Sequence, residues 1–223
     1  MAMEPEPEED EEQAAAAAAA TEAPDESAVL AARVKIAGHE VAANSTVLDV
    51  SEWGLTAAQV REVAGALPQL LCLRELVLDG VPVSGATPFR LDADMDLFRA
   101  ACEGLRALQG LTSLSLGGCY LGPKALALLA ELFRDARAAL ASVNLSGNPL
   151  TGASQKFGEF GNPWEKIDSD MAGFIALCAV LGKLTEVNLS DCHLGPASAA
   201  ELAKVFSDAN AAFEVVAIGA NPI

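Results

Sequence analysis

The sequence predicts an α/β fold, a solenoid in which short parallel strands alternate with helices. Three observations predict it. A phrase recurs: Leu111-Thr-Ser-Leu114-Ser-Leu116-Gly-Gly-Cys119-Tyr-Leu121 returns as Leu184-Thr-Glu-Val187-Asn-Leu189-Ser-Asp-Cys192-His-Leu194. A variant with Asn in the Cys slot lies between them, Leu140-Ala-Ser-Val143-Asn-Leu145-Ser-Gly-Asn148-Pro-Leu150, and another closes the sequence, Phe213-Glu-Val-Val216-Ala-Ile218-Gly-Ala-Asn221-Pro-Ile223. The apolar residue that ends each phrase's strand is Val50, Leu78, Leu116, Leu145, Leu189 and Ile218, at spacings of 28, 38, 29, 44 and 29. Self-similarity at this period marks stacked units, none of which can bury its apolar side alone. The long spacings fall between pairs, so the unit is a double repeat.

Residues 1–27 hold ten acidic side chains, no Lys or Arg, and the alanine run Ala14–Ala20. With almost no large apolar side chain, burial there cannot offset chain entropy, and the segment reads as a disordered tail. It is either a solubilising tail or an acidic docking tail for a basic partner. Residues 28–43 contain the short alternation Val34-Lys35-Ile36 and then Gly38. They read as an N-terminal cap or a degenerate first repeat. The array proper runs over 44–223, about six repeats.

Within a repeat, Leu-x-Leu is a strand with its apolar side chains pointing one way at period two. Thr56-Ala-Ala-Gln59 reads as a capping box opening the first helix. Gly122-Pro123 and Gly195-Pro196 start later helices, where the fixed φ of Pro suits the first helical position. Leu126, Leu129, Leu132 and Phe133 form one apolar stripe, and Leu202, Val205 and Phe206 a matching one. The insertions at 84–97 and 152–168 are related: Asp92-Ala-Asp94-Met95-Asp-Leu-Phe98 ending in Cys102 matches Asp168-Ser-Asp170-Met171-Ala-Gly-Phe174 ending in Cys178. The carboxylates of both Asp-x-Asp pairs are expected to precede helices and complement their dipoles.

Hydrophobic residues make up 52 % of the chain and aromatics only 5 %, so the core is aliphatic. In the Cys/Asn slot the chain leaves the strand in a tight turn whose backbone groups need partners. Cys119, Asn148, Cys192 and Asn221 are expected to form a structural ladder there, Asn both donating and accepting, Cys donating weakly. Trp53 and Val81 hold this slot in the first two repeats, so that end should be packed differently.

The formal charge of -17 speaks against binding a polyanion, so nucleic acid is not an expected partner. The alanine run is too short to span a bilayer, so no membrane association is expected. Five cysteines, no CxxC and an acidic rather than basic start predict a cytoplasmic chain with reduced thiols.

The alternating Cys-type and Asn-type turns and the 28–29 residue period resemble the ribonuclease-inhibitor-like subfamily of leucine-rich repeat proteins, over roughly residues 44–223. The resemblance implies a curved horseshoe, with parallel strands on the concave face and helices on the convex face, and protein binding as the default role. On that geometry the concave face carries Asp49, Glu75, Asp79, Ser113, Ser115, Asn144, Ser146, Glu186, Asn188 and Ser190, with no Lys, Arg or aromatic residue. It is either a solvated polar sheet or a groove for the basic segment of a partner. Binding energy usually concentrates in Trp, Tyr and Arg. The second insertion carries Phe157, Phe160 and Trp164, which either anchor a partner or fold back over the adjacent repeat.

No nucleophile, phosphate-binding or metalloprotease motif occurs, and no cofactor or metal is expected. His193 beside Cys192 corresponds to Tyr120 beside Cys119, so the position does not require an imidazole. The sequence therefore reads as a non-catalytic protein–protein interaction scaffold. The alternatives are a GTPase-activating module of the same repeat class, or part of a larger sensor or cytoskeletal protein. The latter is suggested by Ile223 following the last Asn-type turn with no further helix.

Overall fold

The computed structural model describes residues 32–135, 140–155 and 164–223. The acidic tail, residues 28–31 and both Phe157 and Phe160 lie outside the described residues. The first described element is an antiparallel hairpin of β1 (Arg33–Ile36) and β2 (His39–Ala42). Its turn is made by Ala37 and Gly38, both at positive φ, which matches the right-handed twist of the flanking strands.

Six three-residue strands then form one parallel sheet: β3 (Val47–Asp49), β4 (Glu75–Val77), β5 (Ser113–Ser115), β6 (Ser142–Asn144), β9 (Glu186–Asn188) and β10 (Val215–Ala217). They lie in the sheet in sequence order, and the sheet is open, with β3 and β10 as its edges. The remaining strands, β7 (Ser154–Gln155) and β8 (Trp164–Glu165), pair antiparallel within the second insertion. In the six-stranded sheet Leu48, Leu76, Leu114, Val143, Val187 and Val216 lie side by side. The first five are buried while their strand neighbours are exposed or half-buried, so one face of the sheet meets the core and the other does not. The pairing continues one residue further: the N–H groups of Val50, Leu78, Leu116, Leu145 and Leu189 each donate to the next strand.

Among the described residues five α-helices return the chain: α1 (Ala57–Ala66), α2 (Met95–Arg106), α3 (Pro123–Asp135), α4 (Ala172–Leu181) and α5 (Pro196–Phe206). Thr56 and Gln59 make the reciprocal capping box of α1. Leu126, Leu129, Leu132 and Phe133 are all buried. The corresponding stripe of α5 is incomplete, with Leu202 buried, Val205 half-buried and Phe206 44 % exposed. No further described helix packs on that side, and Phe206 meets Phe213 edge to face with ring centroids 5.6 Å apart.

The turns after the strands form a continuous set of hydrogen bonds. The fully buried Asn148 amide donates to the carbonyls of Leu116 and Leu145 at 2.8 Å, and its oxygen accepts from Leu121 N–H at 2.9 Å. Asn221 repeats this one pair later, donating to Leu189 and Ile218 and accepting from Cys192 and Leu194. The thiols of Cys119 and Cys192 donate back to the carbonyls of Leu78 and Leu145, at 3.1 and 3.2 Å. Each Asn thus closes the turn of the Cys repeat before it. In the first repeat Trp53 instead stacks on His39 of the hairpin, and Val81 is buried among core aliphatics.

The duplicated Asp-x-Asp pairs divide their work. Asp94 accepts from Leu97 N–H and Asp170 from Ala172 N–H, each at the start of its own helix. Asp92 and Asp168 reach into the next repeat. Asp92 accepts from the N–H groups of Gly122, Lys124 and Ala125, at the start of α3. Asp168 accepts from Gly195, Ala197 and Ser198, and from the Ser198 hydroxyl, at the start of α5. The glycine before each Pro is required by this approach, because a Cβ on Gly122 or Gly195 would stand 2.6 or 2.5 Å from the carboxylate.

Candidate functional site

The outer face of the sheet is built by alternation: in each strand the central residue turns inward and its two neighbours turn outward. One outward row reads Val47, Glu75, Ser113, Ser142, Glu186, Val215, and the next Asp49, Val77, Ser115, Asn144, Asn188, Ala217. Ser51, Asp79, Ser146 and Ser190 follow at the strand ends. The middle of the face is therefore short and hydroxylic, with carboxylates to either side and no Lys or Arg.

Part of this polarity is consumed internally. Asp79 accepts from the Ser115 hydroxyl and from Gly117 N–H, both at 2.6 Å, and Ser115 in turn accepts from Asn144 at 2.8 Å. Asn144 and Asn188 accept from the N–H of Ser146 and Ser190. Asp49 accepts from Ser51 through hydroxyl and N–H, and those bonds hold its carboxyl below the ordinary 3.8. Glu75 and Glu186 differ. Both side chains are exposed and make no hydrogen bond or ion pair with a described residue. They share a row three strand steps apart, which is about 14 Å at ordinary strand spacing. The neighbouring Arg74 forms no ion pair with Glu75; its guanidinium turns to the Gly110 carbonyl, to which it donates at 2.8 Å.

Of the aromatic residues in the second insertion, Trp164 is half-buried and stacks on His193 with ring centroids 3.8 Å apart. It folds back on the neighbouring repeat. Sequence reasoning treated His193 as dispensable and did not foresee this stack. The available signal was that the chain holds only two His and two Trp, one of each near the N-terminal hairpin and one of each around the second insertion.

The thiols of Cys102, Cys119, Cys178 and Cys192 are pushed up to about 12 by burial and stay protonated near neutrality. All five cysteines are free. Among the described residues no cluster of three or more His, Cys, Asp or Glu could hold a metal, and no helix is long and apolar enough to cross a membrane.

The chain matches no protein family and no curated relative. Among solved structures it is similar to the tropomodulin C-terminal domain from Caenorhabditis elegans, at 14 % identity and a TM-score of 0.49, over 72 % of this chain and 82 % of that one. The functional reading rests on the residues of the site itself.

Proposed function

We propose that this chain is a non-catalytic protein-interaction module, a leucine-rich repeat horseshoe of the ribonuclease-inhibitor-like kind. Its outer sheet face is the concave docking surface, and the helices are the convex back. The alternation of Asn148 and Asn221 with Cys119 and Cys192 supports the subfamily. The observation that carries the function is Glu75 and Glu186, which have no hydrogen bond or ion pair among the described residues, on a sheet face whose strand residues include no Lys or Arg. The partner is a protein with an extended basic segment. A strand advances about 3.4 Å per residue, so two Lys or Arg four residues apart would meet both carboxylates from one side. Asp49 and Asp79 add to the negative potential, while Ser113, Ser115, Asn144, Ser146, Asn188 and Ser190 supply hydrogen bonds to the peptide backbone. The five free cysteines fit the reducing, cytoplasmic setting of this proposal.

The test is binding of an extended peptide carrying Lys at positions i and i+4, compared between wild type and Glu75→Lys/Glu186→Lys. The double variant is expected to bind at least tenfold more weakly and to lose the salt dependence. Equal affinity would overturn the acidic docking face. A GTP-hydrolysis assay with small GTPases separates this reading from the activating module, because the scaffold leaves the hydrolysis rate unchanged.

A further inference from the structure

The chain contains two histidines and two tryptophans, and each histidine is stacked on one tryptophan. His39 lies on Trp53 with centroids 3.9 Å apart and planes 14° from parallel, and Trp164 lies on His193 at 3.8 Å and 26°. Both pairs do the same work. Each joins an antiparallel hairpin to a turn that leaves the parallel sheet: His39 opens β2 and meets the turn after β3, while Trp164 opens β8 and meets the turn after β9. The two pairs differ in exposure. His39 is exposed, whereas His193 is half-buried beneath the indole.

A proton placed on an imidazole in such a stack creates a charge that is partly stripped of water. Burial holds the His193 imidazole below its ordinary 6.5, with Asp191 in the same turn pulling the other way. The attraction of a cation for the indole face also opposes burial. Among the described residues, Glu165 and Lys166 follow Trp164 in the chain, and the carboxylate of Asp168 is taken up by the amides at the start of α5 and by Ser198.

We propose that the Trp164–His193 pair is a proton-sensitive contact, in which the neutral imidazole holds β8 against the turn after β9 and protonation of His193 loosens it. The folded contact favours the neutral form, so its full strength is present above pH 6.5 and is lost as pH falls from there through the lowered value of His193. The same turn carries Ser190 of the outer sheet face, so acidification would change the rim beside that surface.

The test uses a Trp53→Phe chain, in which Trp164 is the single indole, with emission and acrylamide quenching followed from pH 8 to pH 5. The expected result is a transition with its midpoint below 6.5 and at least a twofold rise in quenching at the acid end. Adding His193→Asn should abolish it, since Asn tolerates the left-handed backbone of that position (φ 54°). Adding His39→Asn should leave it in place. Flat quenching across the range, or a transition that survives His193→Asn, would overturn the proposal. So would a far-UV signal that falls with the same midpoint, because the whole fold would then be titrating. In the unsubstituted chain, NMR titration of the His193 ring must also give a midpoint below 6.5, and a value at or above it would overturn the proposal independently.

Discussion

Helices within a pair of repeats meet differently from helices of neighbouring pairs. Inside a pair the backbones touch. A Cβ on Gly104 of α2 would stand 2.4 Å from the Ala64 carbonyl oxygen of α1, and one on Gly173 of α4 would stand 2.0 Å from that of Pro123 in α3. Between pairs the helices stand apart. A groove of about 270 Å³ lies between α2 and α3 beside Cys102 and Leu128, and one of about 340 Å³ between α4 and α5 beside Cys178 and Val205. Asp92 and Asp168 span these wider joints, each lodged at the start of the next helix, and Arg106 of α2 adds an ion pair with Asp135 of α3 at 3.2 Å. The double period in the sequence is thus a physical unit, held by close packing inside and by a charged loop outside.

The sharpest way to break this contrast is Gly173→Ala. Overpacking costs about 1–3 kcal/mol and occasionally more; against a backbone oxygen the upper end is expected, read as a lowered urea midpoint. The control is Gly182→Ala in the open joint, where the new Cβ meets Ala211 at an ordinary 3.7 Å and the shift should stay within about 0.5 kcal/mol. Equal effects would dissolve the distinction. Next comes Asn148→Ala, which strips fully buried backbone groups of their partners and should cost about 1–3 kcal/mol in the same measurement.

Asp168→Asn targets the wide joint alone. Asn suits its left-handed backbone (φ 56°) but keeps one acceptor where the carboxylate has two, and a loss of about 1 kcal/mol is expected at pH 7. Burial pushes this carboxyl up, but the Ser198 hydroxyl and the N–H groups of Gly195, Ser198 and Ala197 outweigh burial and hold it below 3.8. Its contribution is therefore complete above pH 3.8 and is lost as pH falls through its lowered value. In acid-unfolding curves the variant should lose less stability than wild type below pH 3.8. Parallel curves would show that the carboxylate does not bear on the joint.

The strands were legible because their signal is local. Leu76, Leu114, Val143 and Val187 each sit at the same offset from a Cys or Asn turn or its equivalent, and each occupies the same row of the sheet. The capping box at Thr56 was legible for the same reason. The roles of Asp92 and Asp168 were only half visible: the sequence placed them before a helix, but the helices they serve begin about 30 residues later. The Gly-Pro pair at the receiving end was the overlooked sign, since glycine there makes room for an incoming carboxylate. On the outer face the residue types were readable, but which carboxylates are already engaged was not. Asp79 is tied to Ser115 by a cross-strand bond that only the register reveals, whereas Glu75 and Glu186 are left over. The Trp164–His193 stack depends on how an insertion folds back, and no periodicity encodes that.

The amide of Asn148 serves the turn of the repeat before it, and that of Asn221 does likewise, which gives the array a direction. Peeling away an Asn-bearing repeat would strip its N-terminal neighbour of the group that finishes its bend, whereas loss from the other end would leave the following bends closed and remove only the carbonyls to which their Cys and Asn side chains reach back. Under tension applied at the C-terminal side the chain should tear in steps of two coils, and stretching single molecules would count those steps.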